Sequence, residues 1–229
     1  MFARVPEERM TERCFQFAAA HRLDGDYLEF GTFWGASFVR AYHFAQLFGL
    51  HRMRFYAFDS FRGLPATPAG SVDDVPESLF KSGDFACSVA DFKKNLIRLR
   101  VDMAKVEIIP GWYHETLTPV LRRQLPIRKA AVVWIDCDLY ESTVSVLDFI
   151  MPYLQDGTIL MFDDWWAFKG RPDLGQPRAL TEWLARNPHV AVAEYARAYW
   201  ASMAFVVHVS GVPLAGAAPM SQPAEKYER

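Results

Sequence analysis

Several protein classes are set aside by what this chain has little of. It contains only three cysteines in 229 residues, Cys14, Cys87 and Cys137. Their number is odd and their spacing is neither that of a zinc site nor that of a disulfide framework, which fits free thiols in a reducing compartment. No run of about 18 apolar residues is available to cross a bilayer. The opening "MFARVPEERM" lacks the apolar core of a signal peptide. A soluble, cytoplasmic chain with no membrane partner is therefore expected. A dominant charge is missing too, since Lys+Arg 25 against Asp+Glu 27 leave a formal net charge of -2. No basic stripe with interleaved aromatics exists, so nucleic acid is not an expected partner. Short clusters such as "LRR" read as solvated faces. There is no internal repeat, no interdomain linker and no intact G-x-G-x-x-G fingerprint for a dinucleotide.

What remains is material for a packed globule: 51% hydrophobic and 15% aromatic residues. Helical spacing over 7–22 is followed by a strand at 26–30, a helix reaching about Leu47, a strand at 53–59 and a helix over 88–99. "KVEIIPG", "KAAVVWIDCD" and "GTILMFDD" read as further strands, with helices between them and a last pair of strands near 190–195 and 201–208. "HETLTPVLRRQL" reads as one short helix. Strand–helix alternation with strands apolar on both faces predicts an α/β fold, a mainly parallel sheet covered on both sides. The expected organisation is an N-terminal helix within 1–24, a single domain over 25–215 and a flexible tail over 216–229. The segment from about 62 to 84 is rich in Pro, Gly, Ser and acid; so long a loop inside a domain predicts a functional role.

Polar residues collect where the strands end. Glu29 and Gly31, Asp59, Gly111, Asp136, and Asp163 with Asp164 all follow apolar runs, and ligands of parallel sheets bind beyond the carboxyl ends of the strands. In "LEFGTFWGAS", Gly31 and Gly35 permit close backbone approach and positive φ, and Glu29 can meet an ammonium group. Asp59 at the end of "YAFD" can accept from ribose hydroxyls. Together Glu29, Gly31 and Asp59 suit a nucleoside that carries an amino acid, S-adenosylmethionine. Each has a plainer reading as a turn or cap residue.

Asp136, Asp138, Asp163 and Asp164 end two strands expected to be neighbours. Four unpaired carboxylates there would repel at a cost on the order of several kcal/mol, and neither motif supplies a Lys or Arg. Oxygen ligands without His or Cys point to Mg²⁺ or a similar divalent cation. The competing reading has some of these acids, Asp138 above all, capping the helix that starts near Glu141. His114 reads as a helix-start residue rather than a base. Trp165 and Trp166 either wall a pocket or cover the sheet edge. Cys137 reads as core.

In order along the chain, "DYLEFGTFWGASF", "YAFDSFRGLP", "GDFACS", "PGWYHETL", "WIDCDLYESTVSVL" and "DGTILMFDDW" resemble the motifs of the macrocin O-methyltransferase family. This family includes sugar methyltransferases of macrolide and aminocoumarin antibiotic pathways, and the resemblance covers about residues 25 to 170. The paired acid motifs are specific to it; the glycine loop is common to class I methyltransferases. The resemblance implies a Rossmann-like, seven-stranded methyltransferase sheet, S-adenosylmethionine as donor and a divalent metal held by Asp136, Asp163 and Asp164. It implies Asp136 or Asp138 as the base. Glu29, Gly31, Thr32, Gly35 and Ser37 would surround the methionine part of the donor. Asp59 and Ser60 would take the ribose, Gly111 and Trp112 would lie near the adenine, and the 62–84 segment would act as a lid. Family members often carry a longer region before the first strand that shapes the acceptor pocket, so a different acceptor or a wall from a partner subunit is expected here. Seven tryptophans and the hydrophobic content leave material for a homodimer.

The expected activity is metal-assisted transfer of a methyl group to a hydroxyl of a sugar or another vicinal diol, a small-molecule acceptor. A catechol or phenol acceptor and a non-catalytic S-adenosylmethionine binder are the alternatives. A metal-dependent hydrolase ranks last, because it gives Glu29 no purpose.

Overall fold

Strand–helix alternation in the sequence becomes a single sheet in space. The structure, a computed structural model, describes residues 6–67, 69–75, 80–198 and 201–210. In chain order the elements are α1 (Pro6–Ala20), β1 (Asp26–Phe30), α2 (Ala36–Leu47), β2 (Phe55–Asp59), α3 (Val89–Arg98), β3 (Val106–Pro110), α4 (Tyr113–Thr116) and α5 (Pro119–Gln124). They continue with β4 (Ala130–Ile135), α6 (Tyr140–Ile150), β5 (Ile159–Phe162), α7 (Gly175–Arg186), β6 (Val190–Ala198) and β7 (Ser202–Val209). The tail expected over 216–229 lies outside the described residues, as do 68 and 76–79 of the 62–84 segment. Among the described residues no helix is long and apolar enough to cross a membrane.

The sheet has seven strands in the order β3-β2-β1-β4-β5-β7-β6. β1 to β5 run parallel, while β7 is antiparallel to both β5 and β6. The chain moves outward from β1 through β2 to β3, then returns to lay β4 on the other side of β1. The switch point between β1 and β4 leaves a crevice at their carboxyl ends, where ligands of such sheets bind.

Burial explains why these runs are strands. Every residue of β2, β4 and β5 is buried, so alternate side chains feed two cores. Tyr27, Phe55 and Trp134 pack with Phe15, Phe38 and Phe92 on one face. Phe30, Phe58 and Phe162 pack with Phe149 and Trp183 on the other. Each such side chain contributes about 1.5–3 kcal/mol by leaving water.

Local chemistry sets the helix boundaries. Ser88 caps α3 by accepting from Asp91 N at 3.1 Å. The single helix expected over 114–125 is two pieces, α4 and α5, because Pro119 cannot donate a backbone hydrogen bond. Thr118 instead opens a new helix, accepting from Leu121 N at 3.2 Å with Pro119 behind it. α6 and α7 are different: their N-cap residues, Leu139 and Leu174, offer no side-chain cap. Asp73 supplies one carboxylate to both, accepting from Tyr140 N at 2.5 Å and from Gly175 N at 3.2 Å. Val72, Val75 and Phe80 pack beside it on Ala167, Phe168 and Leu174. The described part of the 62–84 segment around Asp73 is thus tied down beside the starts of α6 and α7.

Candidate active site

Three strand ends meet around one glycine. Gly31 follows β1 with φ 87°, and a Cβ at this position would stand 1.7 Å from Asp136 O. Only glycine lets the β4 end come so near. Asp136 N donates to Phe30 O at 2.8 Å, and Asp163 N donates to Ile135 O at 3.1 Å, so the ends of β1, β4 and β5 are fixed in one row.

Asp136, Asp138 and Asp164 each direct a carboxylate oxygen into this row, all within 4.8 Å of one another. Asp138 reaches it because the chain turns beyond β4 with a left-handed φ of 63°, not because an extended strand carries it to the face of Asp136. Burial is the largest force on all three carboxyls and pushes each well above the usual range, and the neighbouring acids push the same way. Asp163 sits beside them with its Oδ1 accepting from Ser202 Oγ at 2.9 Å. Asp138 is not the N-cap of α6: Leu139 holds that position, and the first amide, Tyr140 N, goes to Asp73.

The donor set fits a hard divalent cation. It is all oxygen, it gathers at one point, and Asp164 Oδ2 is buried without a hydrogen-bond partner among the described residues. A buried acceptor left in that state costs about 1–3 kcal/mol, a cost that an ion removes. The residues therefore fit the cation that the sequence motifs imply.

Beside the acids lies a cavity of about 680 Å³. Gly31, Asp59, Ser60, Gly111 and Trp112 line it together with Asp136, Asp138, Asp163 and Asp164. Five of the nine residues expected around the donor thus face open space. Asp59 has an additional duty: its Oδ2 accepts from Thr32 N at 2.7 Å and Phe33 N at 3.1 Å, and its Oδ1 accepts from Phe61 N at 2.7 Å. It clamps the glycine loop and also lines the cavity. Ser60 donates to Gly63 O at 2.7 Å and shapes the turn into the 62–84 segment.

The other four do not line the cavity. Glu29 is fully buried; Ser37 Oγ donates to its Oε1 at 2.6 Å, and Tyr27 OH donates to its Oε2. Burial raises its pKa to about 8, with both hydrogen bonds opposing the rise. Thr32 is buried beside Asp59. Gly35, φ 85°, caps α2 against the Phe92 ring. Thr32 and Gly35 thus belong to the loop itself, while Glu29 and Ser37 bond to each other from its two ends.

His114 is an exposed residue of the short α4, on the cavity rim. Trp165 is buried against Phe162 and Phe205, and Trp166 lies under the Arg197 guanidinium, so the pair covers the sheet. Cys137 is buried core beside Thr143, and also borders the cavity. Sequence patterns missed three contributors: Asp73, Ser202 and Gln176. Gln176 is fully buried and accepts from Asp164 N. None of the three belongs to a recognisable motif; each is defined by a partner far away in sequence.

Comparison with known proteins gives the following. A family model described as Macrocin-O-methyltransferase (TylF) matches residues 2–176. The chain is 30% identical over 154 residues to the 8-demethyl-8-(2,3-dimethoxy-alpha-L-rhamnosyl)-tetracenomycin-C 4'-O-methyltransferase of Streptomyces olivaceus, covering 66% of this chain and 57% of the relative. It is 26% identical over 161 residues to the mycinamicin III 3''-O-methyltransferase of Micromonospora griseorubida, covering 67% and 60%. This chain therefore spans less than two thirds of the length of these relatives. Among solved structures it resembles the O-methyltransferase NovP, with a TM-score of 0.74 and 21% identity over 88% of this chain and 79% of that one. That likeness establishes the Rossmann-like fold of class I methyltransferases, as the sheet order already indicates.

Proposed function

Since the chain belongs to the macrocin O-methyltransferase family, we propose that it methylates a hydroxyl of a sugar or another vicinal-diol small molecule, with S-adenosylmethionine as donor and a divalent cation, Mg²⁺ or similar, at the acid cluster. The observation that carries this reading is the convergence of Asp136, Asp138 and Asp164 within 4.8 Å, at the wall of a cavity of about 680 Å³. A binder that had lost its chemistry would have no use for buried like charges. The case for a flat aromatic acceptor rested on Trp165 and Trp166, which cover the sheet instead.

S-adenosylmethionine supplies an electrophilic sulfonium methyl, and the cation, when bound, lowers the pKa of the acceptor hydroxyl and orients it. The chain's own residues do the rest. Asp136, Asp138 and Asp164 would hold the ion, and Asp163 would be kept in place by Ser202. Asp138 would also take the acceptor's proton: it lines the cavity from the loop beyond β4. Gly31, Asp59 and Gly111 shape the donor's half of the cavity. Phe33 and Phe85, with ring centres 5.7 Å apart, give the same cavity an apolar wall.

The test combines two variants with a chelator. Asp164→Ala and EDTA treatment should each reduce methyl transfer at least about 100-fold. Asp138→Asn keeps an oxygen ligand but loses its charge and cannot accept a proton; it should weaken Mn²⁺ binding and still lose about 100-fold or more in kcat when Mn²⁺ is saturating. Full, chelator-resistant turnover by Asp164→Ala would remove the metal from the mechanism.

A further inference from the structure

Gln176, the second residue of α7, has a carboxamide that is used at both ends although it is fully buried. Its Oε1 accepts from Asp164 N at 3.0 Å, and its Nε2 donates to Ile135 O at 3.0 Å. These backbone groups stand where β4 and β5 part. Regular pairing stops at Ile135 opposite Phe162, and Asp163 N makes one last bond to Ile135 O at 3.1 Å. Beyond it the amide of Asp164 has no strand partner, and the Gln176 side chain takes the place of the missing rung.

We propose that Gln176 is the positioning residue of the carboxylate cluster, spanning the split between β4 and β5 and so holding Asp136 and Asp164 close enough to share one divalent cation. The inference rests on the metal reading above. Ile135 O lies immediately before Asp136 in the chain, and the other anchor is the amide of Asp164 itself, so the clip acts one bond or less from each carboxylate-bearing residue. An amide suits the task chemically. It offers a donor and an acceptor on one planar group and adds no charge to a site already crowded with acids. Glutamate here would face Ile135 O with a second acceptor, and leucine would leave the Asp164 amide without its partner, at about 1–3 kcal/mol, while Ile135 O would keep only Asp163 N.

The experiment measures Mn²⁺ affinity by electron paramagnetic resonance without turnover, for wild type, Gln176→Met and Gln176→Asn. Methionine matches the length but forms neither bond. Asparagine keeps the amide but is one methylene too short to span both partners, and it serves if the methionine variant does not fold. S-adenosylhomocysteine affinity is measured alongside, because the donor half of the cavity is built from other strand ends. The inference expects S-adenosylhomocysteine binding within about 2-fold of wild type and Mn²⁺ binding weakened at least about 10-fold, as for partners that orient metal ligands from behind. Folded variants that bind Mn²⁺ like wild type overturn the role of Gln176 and leave the metal reading intact. If wild type itself takes up no Mn²⁺, the metal reading fails and the inference falls with it.

Discussion

Glu29 separates two roles that a sequence cannot tell apart. An acid at the end of β1 is easy to recognise, and its motif suggests a ligand for an ammonium group. In the structure both carboxyl oxygens face inward, to Ser37 and Tyr27. The deciding partner was legible only in hindsight: Tyr27 lies two residues earlier, on the same face of the strand. Burial lifts the pKa of Glu29 to about 8, above its unfolded value. Its contribution to stability is therefore complete below the ordinary carboxylate range and is lost as pH rises through about 8. Glu29→Gln, which cannot ionise, should gain in melting temperature relative to wild type between about pH 6 and 9, with S-adenosylmethionine affinity within about 2-fold. A loss of affinity beyond about 10-fold would return Glu29 to direct contact with the donor. Asp138 shows the opposite case. Its motif identified it as important, but its place in the cluster depends on a left-handed backbone turn that no residue-by-residue pattern reveals.

At the level of elements, the strands and most helices were legible because their signals are local apolar runs, whereas the break at Thr118 and Pro119, equally local, was read through as one helix. The starts of α6 and α7 were not legible, because their cap comes from Asp73, 67 and 102 residues away along the chain. Two roles meet in that carboxylate. It closes the N-termini of two helices, and it moors the described part of the 62–84 segment beside them. Each missing cap costs about 0.5–2 kcal/mol, so Asp73→Ala should destabilise the fold by about 1–3 kcal/mol in urea titrations. Asp73→Asn, with one acceptor oxygen left, should recover part of that loss. An alanine variant as stable as wild type would show that the segment is held by Val72, Val75 and Phe80 alone. Gly31 belongs to this scale as well. The sequence marked it for close backbone approach to a ligand and positive φ, and the structure adds that it admits the backbone of Asp136.

For the whole molecule, a net charge of only -2 conceals a strong local imbalance. Four aspartates crowd one end of the sheet, three of them raised well above the usual carboxylate range by burial and mutual repulsion. Without an ion, the protonated cluster is the comfortable one, and stability falls as pH rises through those raised values. A divalent cation competes with these protons, so its affinity must grow with pH. The sequence made the fold and the acid-rich end legible, because strand order and strand-end chemistry follow from patterning. It did not reveal which carboxylates converge, which depends on Gln176 and Ser202 reaching in from α7 and β7. The most direct measurement is anomalous diffraction from crystals soaked in Mn²⁺ with S-adenosylhomocysteine at neutral pH. We expect one peak between Asp136, Asp138 and Asp164 that fades in crystals held near pH 4; saturating Mn²⁺ with no density at those carboxylates, or a peak only elsewhere, would contradict the account.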